Sequence, residues 1–436
     1  MPIYIFILGF TIVVDYFAGI FIGKSTGRKR KMFLLASLIA NIGVLAIFKY
    51  YNFINGNITI LLSHFGLPNH IPYLAILLPI GLSFHTFQAM SYTIEVYRGN
   101  QEPERRFGIY ALYVMFYPQL VAGPIERPQN ILHQFYEKHH IDYENFAEGF
   151  RLILWGFFKK LVIADRLAMY VLIIYRDPSI RDSKSLILAT VYFAMQIYCD
   201  FSGYSDIAIG VARIMGFKLM TNFNRPYFAT SVSAFWRRWH ISLTTWFMDY
   251  LYIPLGGNRV SVPRWFFNLM FVFLVSGLWH GANWTFVIWG GLNGLYLVIG
   301  IILRPVTNRY KDTIIHNRLL KALWKISRTL FTFLLICFSW IFFRASSLKD
   351  AVTVIKRIAT THGPLTYESD NTLLVYPFIG ILILLIIEFD QERNHGVSSF
   401  FHSKSPAIRM ATYSFILIII LMIGVFDGGQ FIYFQF

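Results

Sequence analysis

Charged residues and cysteines are both scarce in this chain of 436 residues. Charged side chains make up 14% of it and hydrophobic ones 56%, whereas an ordinary soluble domain carries about 25% charged residues. A chain this apolar cannot cover a water-facing surface, which excludes a soluble enzyme and a disordered protein. The only two cysteines, Cys199 and Cys337, lie in apolar surroundings, so at most one disulfide can form and a secreted disulfide scaffold is excluded.

Motifs that bind metals or nucleotides are missing as well. The sequence has no HExxH motif, no P-loop, no GxSxG elbow and no GxGxxG fingerprint in a βαβ context. His240 and His280 are too far apart in sequence to form a zinc-binding motif. We therefore predict no metal and no bound cofactor.

Positive charge is in excess, with 39 lysines and arginines against 23 acidic residues and a net charge of +16. In a nucleic-acid-binding protein such charge forms a patch on a polar domain. Here the basic residues lie in short loops between apolar stretches, which is typical of the cytoplasmic side of a membrane protein. We expect membrane lipid around the chain, and no nucleic-acid partner.

Long apolar stretches are abundant. A membrane-spanning helix needs about 20 apolar residues, and the run 265–303, which has no charged residue, suffices for two crossings or for one crossing and a re-entrant piece. The candidate segments are 1–23, 32–48, 73–94, 107–125, 149–164 with 167–175, 185–199, 265–303, 326–343, 371–387 and 410–426. We predict an all-α polytopic membrane protein with about ten to twelve transmembrane or re-entrant helices.

The positions of the basic residues predict an orientation. The cluster at 24–31 and the arginines between 98 and 106 are expected in the cytoplasm, whereas the loop 54–72, which has no lysine or arginine, is expected outside. This arrangement places the N-terminus outside. Because the sequence shows no internal repeat and no soluble domain, we predict one multi-pass domain over residues 1–436.

Four polar stretches interrupt the apolar sequence, and polar groups at membrane depth indicate a functional site or a buried network. They are 120–128, 199–206, 235–246 with its continuation to 259, and 276–284. In the second stretch, Asp200 and Asp206 would lie on different faces of a helix, which disfavours a paired-carboxylate site. We expect them to bind arginines such as Arg213 or to cap a helix.

The third stretch combines aromatic and cationic side chains. On a helix, Trp236, Trp239 and His240 would share one face, with Arg237 about a quarter-turn away. That face can form the entrance of a binding site for an anionic, partly apolar ligand, such as the thioester of a phosphorylated carrier. It can equally be an interfacial tryptophan and arginine belt of the kind found in most membrane proteins.

His280 stands between Trp279 and Gly281, inside the longest run without charge. A neutral imidazole costs less at such a position than a lysine would, and it can take up a proton near neutral pH. Gly277 and Gly281 allow a break in the backbone or a close approach of substrate. A structural histidine that is hydrogen-bonded between helices is the alternative.

Five segments carry a family resemblance. In chain order they are AGPIERP, DFSGYSDIAIG, NFNRPY, FWRRWHISLTTWF and SGLWHGANWTFVIWG. Together they resemble the membrane-bound O-acyltransferase superfamily in its bacterial polysaccharide-modifying branch, and within it the alginate O-acetyltransferase subfamily. The same branch includes peptidoglycan O-acetyltransferases and the membrane protein of teichoic-acid D-alanylation. The motif-bearing core extends from about residue 79 to residue 345.

The resemblance implies a ring of helices around a central tunnel. It implies transfer of an acetyl group from a cytoplasmic thioester to hydroxyls of an extracytoplasmic polysaccharide, such as alginate or peptidoglycan. His280 matches the catalytic histidine of the superfamily, and His240 matches its second functional polar position. The protein is then expected in the bacterial inner membrane, with an exported partner of the SGNH-hydrolase type.

The resemblance also implies a donor site for acetyl-CoA or another acyl thioester. Guanidinium groups suit the phosphates of such a donor, and indole N–H groups suit a developing oxyanion. The candidate donor-binding residues are Trp236, Arg237, Arg238, Arg259, Trp279 and Asn283. His280 is expected to be the general base, while His240 polarises the acyl carbonyl or orients the acyl chain.

Other functions remain open from the sequence. D-alanyl transfer from a carrier protein to teichoic acid would use the same constellation with another donor. An acyltransferase with a lipid or protein target is a further possibility. A transporter would explain the broken helices and buried polar residues, although no inverted repeat is visible. A purely scaffolding subunit would tolerate changes at both histidines.

Overall fold

The computed structural model describes residues 4–75, 81–120, 123–140, 142–307, 317–365 and 372–426. In these ranges the chain is largely helical and contains no β-strand, which confirms the predicted all-α class. Cys199 and Cys337 are both buried as free thiols.

The described ranges contain seventeen α-helices. In the described ranges, the π-helical turns Ala46–Tyr50 and Phe158–Ala164 each join two consecutive α-helices, whereas Met248–Tyr252 ends the helix that it follows. The α-helices are α1 (Tyr4–Lys24), α2 (Gly27–Leu45), α3 (Tyr51–His64), α4 (Leu82–Arg98), α5 (Phe107–Val114), α6 (Pro128–Ile131), α7 (Tyr143–Phe157), α8 (Asp165–Arg176), α9 (Ser183–Ile214), α10 (Val232–Trp236), α11 (Ile241–Phe247), α12 (Val262–His280), α13 (Trp284–Ile302), α14 (Arg318–Arg344), α15 (Leu348–Thr360), α16 (Thr372–Arg393) and α17 (Pro406–Ile423).

Eight helices within the described ranges are long and apolar enough to cross a membrane. They are α1, the continuous helix made of α2 and α3, α9, α12, α13, α14, α16 and α17. The chain is therefore a multi-pass membrane protein. The uncharged run 265–303 forms two crossing-length helices, which is one of the two arrangements that its length allowed.

The predicted crossing at 107–125 is wrong. Helix α5 has only eight residues, which rise about 12 Å. A short 3₁₀ turn at Tyr117–Gln119, with Pro118 inside it, follows; proline lacks the N–H that a longer helix would need. Residues 121 and 122 of this segment lie outside the described residues, as do residues 76–80 of the segment predicted at 73–94.

The first of two compact units comprises Met1–Gly149 and Val211–Met220. Helices α1, α2 and α4 pack against one another in it. Between them Asp15 is fully buried and accepts hydrogen bonds from Ser37 Oγ at 2.6 Å and from Asn41 Nδ2 at 2.8 and 2.9 Å. An apolar surrounding makes an unpaired carboxylate costly, so these polar neighbours allow it to be buried.

One contact bears on the predicted orientation. Arg30 of the basic cluster donates from Nη2 to the carbonyl of Val96 at 3.1 Å. The cluster therefore lies beside the C-terminal end of α4, where Arg98 is located. The two basic regions assigned to the cytoplasm thus meet at one end of this unit, as the orientation requires.

The second unit comprises Phe150–Gly210 and Thr221–Phe436 and contains both candidate histidines. Its helices α12 and α13 pack closely because glycines lie where they cross. A Cβ on Gly277 would lie 2.2 Å from the carbonyl oxygen of Phe286, and one on Gly290 would lie 2.2 Å from that of Phe273. Only glycine permits this approach, which fixes α12, and His280 at its end, against α13.

We expect Gly290→Ala to lower the melting temperature of the purified protein by several degrees. The added methyl would meet backbone atoms, and overpacking of this kind costs about 1–3 kcal/mol. Gly300→Ala, in the same helix, is the control, because nothing lies within 4 Å of its Cβ position and alanine favours a helix. Equal melting temperatures for the two variants would contradict the close packing of α12 against α13.

Candidate active site

His280 is the last residue of α12, at the break that separates this helix from α13. Gly281 follows in an extended conformation, and a Cβ there would lie 2.1 Å from the ring of Phe286. Asn283 then caps α13, because its Oδ1 accepts a hydrogen bond from the N–H of Thr285 at 3.0 Å. The break predicted from the flanking glycines is therefore present.

The side chain of His280 is only 4% exposed and lies among aromatic rings. Its ring centroid is 4.9 Å from that of Trp279, 5.0 Å from that of Trp289 and 5.4 Å from that of Phe343. Aromatic walls of this kind exclude water and hold the imidazole in place by packing. The predicted deep burial of this residue is confirmed.

His240 is 1% exposed and adopts a left-handed backbone conformation, with φ 42° and ψ 56°. Helix α10 ends at Trp236 and α11 begins at Ile241, so the prediction of one helix face shared by Trp236, Trp239 and His240 is wrong. The segment leaves the helix because the N–H of Ile241 donates to the carbonyl of Asn222 at 2.8 Å instead. All three predicted side chains are nevertheless buried.

Trp279 connects the two histidines. Its ring contacts that of His280 and also lies 6.4 Å from that of His240, centroid to centroid. Trp236 joins the same cluster through Trp289, at 5.7 Å. The structure therefore brings His240, His280, Trp236 and Trp279 together, although residues up to 44 positions apart in the chain supply them.

Two indole donors in this cluster stand out. The Nε1 atoms of Trp236 and Trp289 are buried and have no hydrogen-bond partner among the described residues. A buried donor left without a partner costs about 1–3 kcal/mol. Such groups are expected where a bound ligand supplies the missing acceptor, as at an oxyanion site.

The three candidate arginines differ in their contacts and exposure. Arg238 forms a bidentate ion pair with Glu392, from Nη2 to Oε1 at 3.0 Å and from Nη1 to Oε2 at 3.1 Å. Arg225 Nε contacts Oε2 of the same carboxylate at 3.0 Å. Arg237 and Arg259 are exposed. Arg238 thus has a partner within the protein, which the sequence did not suggest.

Asp200 and Asp206 bind lysines, so the expectation of Arg213 as partner is wrong. Asp206 pairs with Lys159, and Asp200 Oδ1 lies 2.6 Å from Lys160 Nζ. The π-helical turn Phe158–Ala164 holds these lysines next to α9. A sequence signal for these ion pairs is present, because two adjacent lysines in an apolar stretch require buried counter-charges.

These ion pairs occupy one side of α9, and the other side faces His240. Phe201 lies 4.5 Å from the His240 ring, centroid to centroid, and Ser205 accepts a hydrogen bond from Asn222 at 3.1 Å. Within the described residues, no group of three or more His, Cys, Asp or Glu side chains is placed to hold a metal ion.

A model of the membrane-bound O-acyltransferase family matches residues 107–343, just over half of the chain and both histidines. The protein belongs to this family. The match ends at Phe343, so it includes α12, α13 and most of α14, the helices whose aromatic side chains surround His280.

Individual relatives fall into three groups. The chain is 40% identical over 345 residues to the probable alginate O-acetylase AlgI of Azotobacter vinelandii, covering 78% of this chain and 65% of that protein. It is 35% identical over 380 residues to the peptidoglycan O-acetyltransferase of Helicobacter pylori, covering 81% and 69%. It is 28% identical over 258 residues to the teichoic acid D-alanyltransferase of Bacillus subtilis, covering 56% and 64%.

We expect Lys159→Met to reduce the amount of folded protein strongly, because it leaves the Asp206 carboxylate without its cation. Breaking one side of a buried ion pair costs about 3–5 kcal/mol. The double variant Lys159→Met/Asp206→Asn should recover most of the loss, and Lys184→Met, at an exposed position on α9, should have no effect. The measurement is the melting temperature in detergent; a single variant as stable as wild type would contradict a structural ion pair.

Proposed function

We propose that this member of the membrane-bound O-acyltransferase family is an O-acetyltransferase. It moves an acetyl group from a cytoplasmic thioester toward hydroxyl groups of an extracytoplasmic polysaccharide. The observation that carries the proposal is the contact of one buried indole, Trp279, with the imidazoles of both His280 and His240. An imidazole base in a water-excluding aromatic cluster, with a second imidazole nearby, suits proton transfer at a reactive thioester.

His280 acts as the general base in this mechanism. Its imidazole takes the proton of the acceptor hydroxyl while the hydroxyl oxygen forms a bond to the thioester carbonyl carbon. The carbon–sulfur bond then breaks, and the proton passes from the imidazolium to the departing thiolate. A positioned base typically contributes about 10²–10⁴-fold to the rate.

The indole N–H groups of Trp236 and Trp289 stabilise the charge that develops on the carbonyl oxygen. Both donors are buried and have no partner within the described residues. The Trp289 ring contacts that of His280, and the Trp236 ring contacts that of Trp289. A preorganised donor costs no reorganisation during the reaction and acts strongly in an apolar surrounding. Trp289 takes the place that Trp279 held among the donors proposed from sequence.

Acetyl-CoA is the proposed donor. The two relatives with 35–40% identity are named for acetyl transfer, which favours an acetyl group over the D-alanyl group of the more distant relative. Glu392 binds Arg238, whereas Arg237 and Arg259 are exposed. Their guanidinium groups suit the phosphates of the donor. No cofactor beyond this substrate is required by the chemistry.

The names of the same two relatives support a polysaccharide acceptor. We place the protein in the bacterial inner membrane, with the thioester entering a central tunnel from the cytoplasm and a polysaccharide, such as alginate or peptidoglycan, receiving the acetyl group outside. An exported partner of the SGNH-hydrolase type would complete the transfer onto the glycan. One catalytic domain would extend over the whole chain, with the core at residues 79–345.

We expect the His280→Ala variant to leave a deletion strain without ester-linked acetate in its envelope and secreted polysaccharides, whereas the wild-type gene restores it. The variant lacks the base but keeps the aromatic packing around it. Immunoblots of the membrane fraction should show the variant at normal abundance. His402→Ala, at an exposed position in the same unit, is the matched control and should restore acetate fully.

The alternatives give other results. Loss of ester-linked D-alanine with acetate unchanged would replace the proposed donor by a D-alanyl carrier. Unchanged acetate and D-alanine in the deletion strain, with solute uptake by the purified protein in liposomes, would identify a transporter. A His280→Ala protein missing from the membrane would mean that the histidine is structural.

A further inference from the structure

Two backbone hydrogen bonds join the NFNRPY segment, residues 222–227, to the residues on either side of His240. The N–H of Ile241 donates to the carbonyl of Asn222 at 2.8 Å, and the N–H of Asn224 donates to the carbonyl of Arg238 at 2.9 Å. These two hydrogen bonds fix the backbone on both sides of His240. They hold a left-handed conformation that costs a residue with a Cβ about 1–2 kcal/mol.

The side chain of Asn222 has only one possible orientation. Its Oδ1 accepts from the backbone N–H of Ser242 at 3.3 Å and from Ser242 Oγ at 2.9 Å. Since a backbone N–H can only donate, the amide atom that faces it must be the oxygen. The Nδ2 atom then points the other way and donates to Ser205 Oγ at 3.1 Å.

This orientation determines which nitrogen of His240 carries the proton. The Nδ1 atom of His240 lies 3.1 Å from the same Asn222 Oδ1. A carbonyl oxygen only accepts, so Nδ1 must be the donor. His240 lies outside the membrane-crossing helices, and burial lowers the pKa of its imidazole to about 3, so the ring is neutral and Nε2 bears a lone pair.

We propose that Asn222 is a positioning residue that holds the buried His240 as the Nδ1–H tautomer. A neutral ring in this state cannot donate from Nε2 to the acyl carbonyl, which excludes the polarising role considered from the sequence. The effect of this tautomer on acyl transfer rests on the proposed function, whereas the tautomer itself does not.

The tautomer can be tested without activity. The full-length protein is labelled with [¹⁵N]histidine, and the ring signals of His240 are identified by their loss in His240→Gln. We expect protonated Nδ1 and unprotonated Nε2 in the wild type, and a mixed or reversed state in Asn222→Leu, which keeps the side-chain volume but has no acceptor. A protonated Nε2 in the wild type would overturn the proposal.

Enzyme kinetics test the positioning role. We expect Asn222→Leu to lower kcat/KM by about 30-fold or more. Asn222→Asp, which keeps an acceptor oxygen against Nδ1–H, should stay within about fivefold of wild type. Ser205→Ala is the control, because it removes the other partner of the amide and leaves the contact with His240. The KM that rises in Asn222→Leu, for acetyl-CoA or for the acceptor, identifies the substrate whose binding depends on the position of the His240 ring.

Two results would contradict the positioning role: wild-type kinetics in a folded Asn222→Leu protein, or equal losses in the Leu and Asp variants at equal melting temperatures. Failure of the proposed function would look different. The tautomer would be as expected, but His280→Ala would leave acetylation unchanged.

Discussion

Polar side chains in the interior of this protein must find their partners within the chain, because the surrounding lipid offers none. Asp15 is bound by Ser37 and Asn41, and Lys159 and Lys160 are bound by aspartates on α9. Each arrangement ties helices together through groups that would be costly to leave unpaired. Among the buried donors without such partners in the described residues are the indoles of Trp236 and Trp289, which belong to the aromatic cluster around His280 and suit the acceptor oxygen of a ligand.

The same constraint explains how the candidate site is supported. On one side of α9 the ion pairs with the π-helical turn hold the helix, and on the other side Phe201 and Ser205 meet the His240 segment. His280 is held independently by the glycine crossing of α12 and α13. Two rigid supports thus converge on Trp279, and an acyl group between the imidazoles would be positioned by both and shielded from water.

Much of this could be predicted from the sequence, for a physical reason: charge depletion fixes the all-α membrane class, and a polar residue in a long apolar run must be buried. His280 was found in this way, and His240 was found from the aromatic and cationic stretch that contains it. The helix face of Trp236, Trp239 and His240 was not, because a distant segment, Asn222, takes over the backbone hydrogen bond at Ile241. The pairing of Arg238 with Glu392 and of Asp206 with Lys159 joins residues far apart in the chain, which local periodicity cannot reveal.

The central claim is that one acyl group lies between His280 and His240 in the aromatic cluster. The most direct measurement is a structure of the protein with a ketone analogue of acetyl-CoA, in which a methylene replaces the thioester sulfur. The account predicts the analogue's carbonyl carbon beside Trp279, within reach of His280, and its oxygen within hydrogen-bond distance of the indole N–H of Trp236 or Trp289. An analogue that binds with its carbonyl away from Trp279 would contradict it.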